Sequence, residues 1–168
     1  MQLTHYNTNF KSKKFPIVLV CDNITNAPNL GSLFRTADAF GIERLILCGE
    51  HISVGKKLRK TSRSTEKVVD YEICKSAIAL VKDLKNKNYQ IISLEITTNS
   101  QSLATFQFNT STPIALILGD ENFGVSEDIL KLSDAVLHIP MYGQNSSMNV
   151  VQATTLALYE IIKQLKPL

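Results

Sequence analysis

The stretch from residue 16 to residue 41, PIVLVCDNITNAPNLGSLFRTADAFG, decides the fold class. Its first six residues, Pro16 to Cys21, form a short apolar run rich in β-branched side chains, which suits a strand buried on both faces. From Asn29 the period changes. Leu30, Leu33, Phe34 and Ala37 recur at i, i+3, i+4 and i+7, which predicts an amphipathic helix. Asn29 is the expected N-cap and Gly41 the expected stop.

The alternation continues outward from this unit. A strand is expected at Leu45 to Cys48, followed by a long polar segment holding Gly55, Lys56, Lys57, Arg59, Lys60 and Arg63. Ala77, Ile78, Val81 and Leu84 mark a second helix, before a strand at Gln90 to Leu94. A buried strand follows at Ile114 to Leu118, ended by Gly119, then a short helix at Ser126 to Leu132 and a last strand at Ala135 to Ile139. Residues Met148 to Lys166 read as a helix whose apolar surface is too broad for one core-facing stripe. Part of it is expected to pack on a partner chain, a wholly internal helix being the alternative. Strands alternating with helices predict an α/β fold with a mainly parallel sheet flanked by helices.

The chain has 168 residues, 44% hydrophobic and 20% charged, which fits one domain over residues 1–168 with residues 1–15 as a basic extension. A net charge of +3 permits an anionic partner without requiring one. Cys21, Cys48 and Cys74 show no C-x-x-C spacing, so they read as small core residues in a reducing compartment rather than disulfide or zinc ligands. His5, His51 and His138 lack triad or metal spacing, and no metal is expected. Without an apolar leader or a membrane-length apolar run, the expected location is the cytoplasm.

In parallel sheets, ligands bind beyond the carboxyl ends of strands, and three such ends carry unusual residues. The first loop runs from Asp22 into the helix bearing Gly31, Arg35 and Thr36. It is either a capped helix with Arg35 in a surface ion pair or an anion-binding turn whose guanidinium grips a phosphate. The second, Gly119-Asp120-Glu121-Asn122-Phe123-Gly124, sets two glycines around adjacent carboxylates. These carboxylates cap the helix at Ser126, bind ribose hydroxyls, or accept a proton. The third, Ile139 to Asn149, is dense in hydrogen-bonding side chains, with Ser147 or Asn149 as a further N-cap candidate. No G-x-S-x-G elbow, Walker A or G-x-G-x-x-G fingerprint is present, which counts against a serine hydrolase, an NTPase and an ordinary NAD enzyme.

Together the three loops resemble the SpoU/TrmH-like branch of the SPOUT RNA methyltransferases. Asn29, Gly31, Arg35 and Thr36 match its first motif. Gly119, Glu121 and Gly124 match the second, and Ile139, Pro140, Met141, Gly143, Ser147, Asn149 and Val150 the third. The resemblance runs from about Pro16 to the final helix. Met148 stands where the family usually has leucine, a volume-conserving change, and Val151-Gln152 replaces its commoner Ser-Val.

The resemblance implies a SPOUT-type fold with a carboxy-terminal trefoil knot, a homodimer, and S-adenosylmethionine as cofactor. It implies transfer of a methyl group to a ribose 2′-hydroxyl of RNA, with tRNA ahead of rRNA. Arg35, Glu121, Ser147 and Asn149 are then the catalytic candidates. Leu118, Gly119, Gly124, Ile139, Met141, Ser147 and Met148 are the cofactor candidates. Asn29, Arg35, Lys56, Lys57, Arg59, Lys60 and Arg63 are the RNA candidates, with Lys11, Lys13 and Lys14 as additions to the basic track. A solvated basic segment without a partner is the alternative for the lysines. With 7% aromatic residues and no Trp, RNA shape and backbone are the expected features read. Two other readings compete: a catalytically silent RNA-binding or assembly factor on the same fold, and a flavodoxin-like small-molecule enzyme or nucleotide sensor.

Overall fold

The structure is a computed structural model, described over residues 11–165. Its seven strands are β1 (Phe15–Asp22), β2 (Ile42–Cys48), β3 (Tyr71–Cys74), β4 (Gln90–Leu94), β5 (Gln101–Ser102), β6 (Ile114–Leu118) and β7 (Ala135–His138). They form one sheet in the order β3-β2-β1-β6-β4-β7-β5, and every pairing is parallel. The helices are α1 (Ala27–Phe40), α2 (Lys56–Ser62), α3 (Ala77–Asn86), α4 (Glu127–Leu132) and α5 (Val150–Leu165).

Both faces of the sheet are covered, which is why its central strands are continuously apolar rather than alternating. Ile17, Leu19 and Cys21 of β1 pack with Leu30, Leu33 and Phe34 of α1 and Leu158 and Ile161 of α5 on one face. Val18 and Val20 pack with Val81 and Leu84 of α3 and Ile129 of α4 on the other. Gly41 ends α1 in the left-handed conformation expected of it, with its N–H returned to the Ala37 and Asp38 carbonyls.

Three expectations need correction. The N-cap of α1 is Asn26, whose Oδ1 accepts from the Asn29 N–H at 3.1 Å. Pro28 in the first turn has its φ preset for the helix, so α1 starts before Asn29 and leaves that side chain free for other work. The basic segment contains a helix, α2, which its charges hide because only Leu58 and Ser62 of its seven residues are buried. Lys13 and Lys14 lie at the amino end of the sheet, away from the carboxyl-end loops: Lys13 sits over the Phe15 ring and Lys14 donates to the Ile42 carbonyl.

Helix α5 keeps most of its apolar surface in this chain's own core and leaves part of it uncovered. Thr154, Ala157, Leu158 and Ile161 are buried, while Leu156 and Tyr159 remain 46% and 63% exposed. The predicted end of that helix at Lys166 lies outside the described residues, as does His5. No helix among the described residues is long and apolar enough to cross a membrane.

Candidate active site

Three adjacent strands end in register. Leu94 of β4 pairs with Leu118 of β6 on one side and Leu137 of β7 on the other. These leucines floor a cleft of about 630 Å³, and the next residues along the chain, Glu95, Gly119 and His138, enter its wall. Ile139, Met141, Met148, Val150 and Ala153 add apolar surface from the β7–α5 loop and the start of α5. All seven cofactor candidates line this cleft: Leu118, Gly119, Gly124, Ile139, Met141, Ser147 and Met148.

The loop after β6 is curled on itself. Asp120 Oδ1 accepts from the N–H groups of Asn122 and Phe123, and the Gly124 N–H closes back on the Asp120 carbonyl. Both glycines are required by that curl. A Cβ at Gly119 would lie 2.1 Å from the Gly124 carbonyl carbon, and Gly124 has φ +69. The two neighbouring carboxylates therefore divide their work: Asp120 builds the turn and leaves Glu121 free to reach outward. Neither caps α4, and Asp22 at the end of β1 bonds Ser126 instead. Burial raises the Asp22 carboxyl above its ordinary pKa, against hydrogen bonds from Ser126 and Asn23 that lower it.

One side chain from each motif loop then meets at the mouth. Asn29 Nδ2 donates to Glu121 Oε1 at 2.7 Å, and Asn149 Nδ2 donates to Asn29 Oδ1 at 3.1 Å. Asn149 also caps α5, its Oδ1 accepting from the Val151 N–H at 2.9 Å, so one amide group serves both the helix start and the contact to Asn29. Residues 92 and 120 positions apart in sequence thus form one polar row above an apolar pocket. Ser147 lines the pocket beside it.

Arg35 stands elsewhere. It is exposed, lies outside the cleft lining, and makes no ion pair or hydrogen bond among the described residues. It follows Gly31 by four residues and so shares a face of α1 with it. That face meets α2: a Cβ at Gly31 would lie 2.6 Å from the Leu58 carbonyl oxygen and 2.7 Å from Thr61 Cβ. Gly31 thus serves helix packing, and it brings the basic helix against the one that carries Asn29 and Arg35.

Glu95 is the residue that sequence reasoning missed. Its Oε2 accepts from the Val125 N–H at 3.0 Å and its Oε1 from the Ile96 N–H at 2.9 Å, pinning the second motif loop from beneath. Its place directly after the strand Gln90–Leu94 marks it only as a strand-end carboxylate, since its partner Val125 lies 30 residues further along the chain. His138 takes a structural part, its Nδ1 hydrogen-bonded to Ser100 Oγ at 3.0 Å.

The profile of the SpoU rRNA Methylase family matches residues 16–159. The chain belongs to that family. It is 31% identical over 151 residues to the tRNA (guanosine(18)-2′-O)-methyltransferase of Aquifex aeolicus, covering 88% of this chain and 69% of that one. Against the 23S rRNA (guanosine-2′-O-)-methyltransferase RlmB of Blochmanniella floridana it is 31% identical over 159 residues, 93% of this chain and 61% of that one. This SpoU chain therefore spans under two thirds of the RlmB relative's length. A solved structure concerned with 2-OH methylation of C/U34 on tRNA superposes with a TM-score of 0.78 at 26% identity, covering 90% of this chain and 98% of that one.

Proposed function

We propose that the protein transfers a methyl group from S-adenosylmethionine to a ribose 2′-hydroxyl of RNA, tRNA ahead of ribosomal RNA. The observation that carries this reading is the hydrogen-bonded row of Glu121, Asn29 and Asn149 at the mouth of an apolar cleft. The tRNA preference rests on the A. aeolicus relative and on the tRNA-linked structure matched over 98% of its length.

The cleft fits the cofactor. Its volume of about 630 Å³ falls within the usual range for small-molecule sites. Glu95, Asp120 and Glu121 line it, and neither Lys nor Arg does among the described residues. That charge pattern suits a sulfonium with an ammonium group and opposes the phosphates of a dinucleotide or flavin nucleotide. When bound, S-adenosylmethionine supplies a methyl carried on a sulfonium that is already a good leaving group.

The chain's own task is alignment and removal of one proton. Leu118, Ile139, Met141 and Met148 hold the adenine in apolar contact, with Gly119, Gly124 and Ser147 allowing close approach of backbone and hydroxyl. Asn29 and Asn149 orient the ribose, and Glu121 accepts the 2′-hydroxyl proton. A guanidinium offers five N–H donors and no acceptor, so Arg35 serves as an anion clamp on the phosphate beside the target ribose rather than as a base. Lys56, Lys57, Arg59, Lys60 and Arg63 extend that clamp along α2 as the RNA track.

The same reading includes a cytoplasmic homodimer with a trefoil-knotted carboxy-terminal region. The exposed Leu156 and Tyr159 on α5 support the dimer, and the knot rests on the likeness to the SPOUT methyltransferases alone. Calorimetric titration with S-adenosylmethionine tests the cofactor assignment, with NADH and FMN as controls. Binding of the methyl donor alone is expected. Binding of NADH or FMN in its place would overturn the assignment.

A further inference from the structure

Cys48 and Cys74 end the neighbouring strands β2 and β3 and occupy the same register position. Their Sγ atoms are 2.9 Å apart. The ladder holds the two backbones in place around them, since the Gly49 N–H donates to the Cys74 carbonyl at 2.9 Å. Neighbouring strands run roughly 4.8 Å apart, inside the Cα separation that a disulfide spans. Cys21 is excluded by the pleat. It pairs in register with Leu47, so its side chain points to the α1 face of the sheet while Cys48 points to the α3 face.

We propose that Cys48 and Cys74 are an oxidisable pair that closes to an intramolecular disulfide under a peroxide-class oxidant. Cys74 is partly exposed and is the sulfur an oxidant reaches, whereas Cys48 is buried. Peroxide converts the Cys74 thiol to a sulfenic acid and is itself reduced to water. The Cys48 sulfur then displaces hydroxide from the sulfenic sulfur, and its proton leaves with that hydroxide as a second water. Two thiols are oxidised by two electrons and one S–S bond forms. The ring so closed contains α2 and the turn at Thr65–Lys67, so the outer strand and the whole basic segment become covalently fastened to β2.

The test needs no knowledge of the substrate. The three cysteines fall on separate tryptic peptides, Phe15–Arg35, Leu45–Lys56 and Val68–Lys75. After exposure of the folded protein to hydrogen peroxide, non-reducing mass mapping should show the second and third peptides linked and Cys21 as a free thiol. The oxidised protein should also melt at a higher temperature than the reduced one. Cys21→Ser should keep the link and Cys74→Ser should lose it. Three intact thiols, a link through Cys21, or a sulfinic acid at Cys74 beside a free Cys48 would each overturn the proposal.

Discussion

The cleft and the basic helix α2 lie on the same end of the sheet and carry opposite charge. Glu95, Asp120 and Glu121 line the first, while Lys56, Lys57, Arg59 and Lys60 fall in the second, with Arg63 at its end. Helix α1 joins them: Asn29 bonds to the cleft's loop, and Gly31 lies against α2. The difference teaches that one end of a sheet can carry an acidic pocket and a basic helix side by side, with the neutral Asn29 amide and Gly31 of α1 as the joint between them. It also makes the two regions separable by mutation.

Gly119→Ala should break the cleft alone. The new Cβ meets backbone at 2.1 Å, so the curled loop must open, and cofactor affinity should fall about a hundredfold or more by calorimetry. Its RNA affinity in a gel shift should hold. Arg35→Ala comes next: methyl transfer should drop roughly a hundredfold because the charge-assisted grip on phosphate is gone, with cofactor affinity unchanged. Normal turnover would remove Arg35 from the mechanism.

On the basic side, replacing both Lys57 and Lys60 by Ala should weaken RNA binding and reduce the slope of log affinity against log salt by about 1 for each phosphate no longer neutralised. The same variant should bind S-adenosylmethionine as tightly as the parent protein. An unchanged salt slope would show that α2 does not touch phosphate.

The smallest effect is expected at Asp22, beneath the cleft loop. Its carboxyl pKa is raised in the folded protein, so the folded state holds that proton more firmly than the unfolded chain. Stability from this group is therefore full in acid and is lost as pH rises from the ordinary carboxylate value through the raised one. Asp22→Asn should melt slightly higher than the parent at pH 7, with the advantage fading in acid. A gain that did not depend on pH would contradict that origin.

Much of the cleft was legible because its residues combine local pattern with special chemistry. Gly119 and Gly124 bracket carboxylates after a buried strand, and Asn149 precedes an apolar helix, so each could be read from its neighbours. Glu95 could not, because its partner Val125 is 30 residues away and only the β4–β6 pairing brings the two together. Helix α2 was hidden for the opposite reason. Seven residues with two buried positions give too short a stripe for periodicity, and its packing depends on Gly31 in another element. Leu158 shows the limit of reading an apolar face. The breadth of α5 pointed to a partner chain, yet Leu158 is fully buried in its own core, so a charge there tests the fold, and Tyr159 is the place to probe an interface.

The central claim is methyl transfer to a ribose, and one assay addresses it directly. The protein is incubated with methyl-labelled S-adenosylmethionine and with bulk tRNA or ribosomal RNA from cells lacking it, and the RNA is digested to nucleosides. Label in a 2′-O-methylated nucleoside, strongest with tRNA, is the predicted result. Binding of both cofactor and RNA with no label transferred would contradict the account and leave a silent RNA-binding protein on a methyltransferase fold.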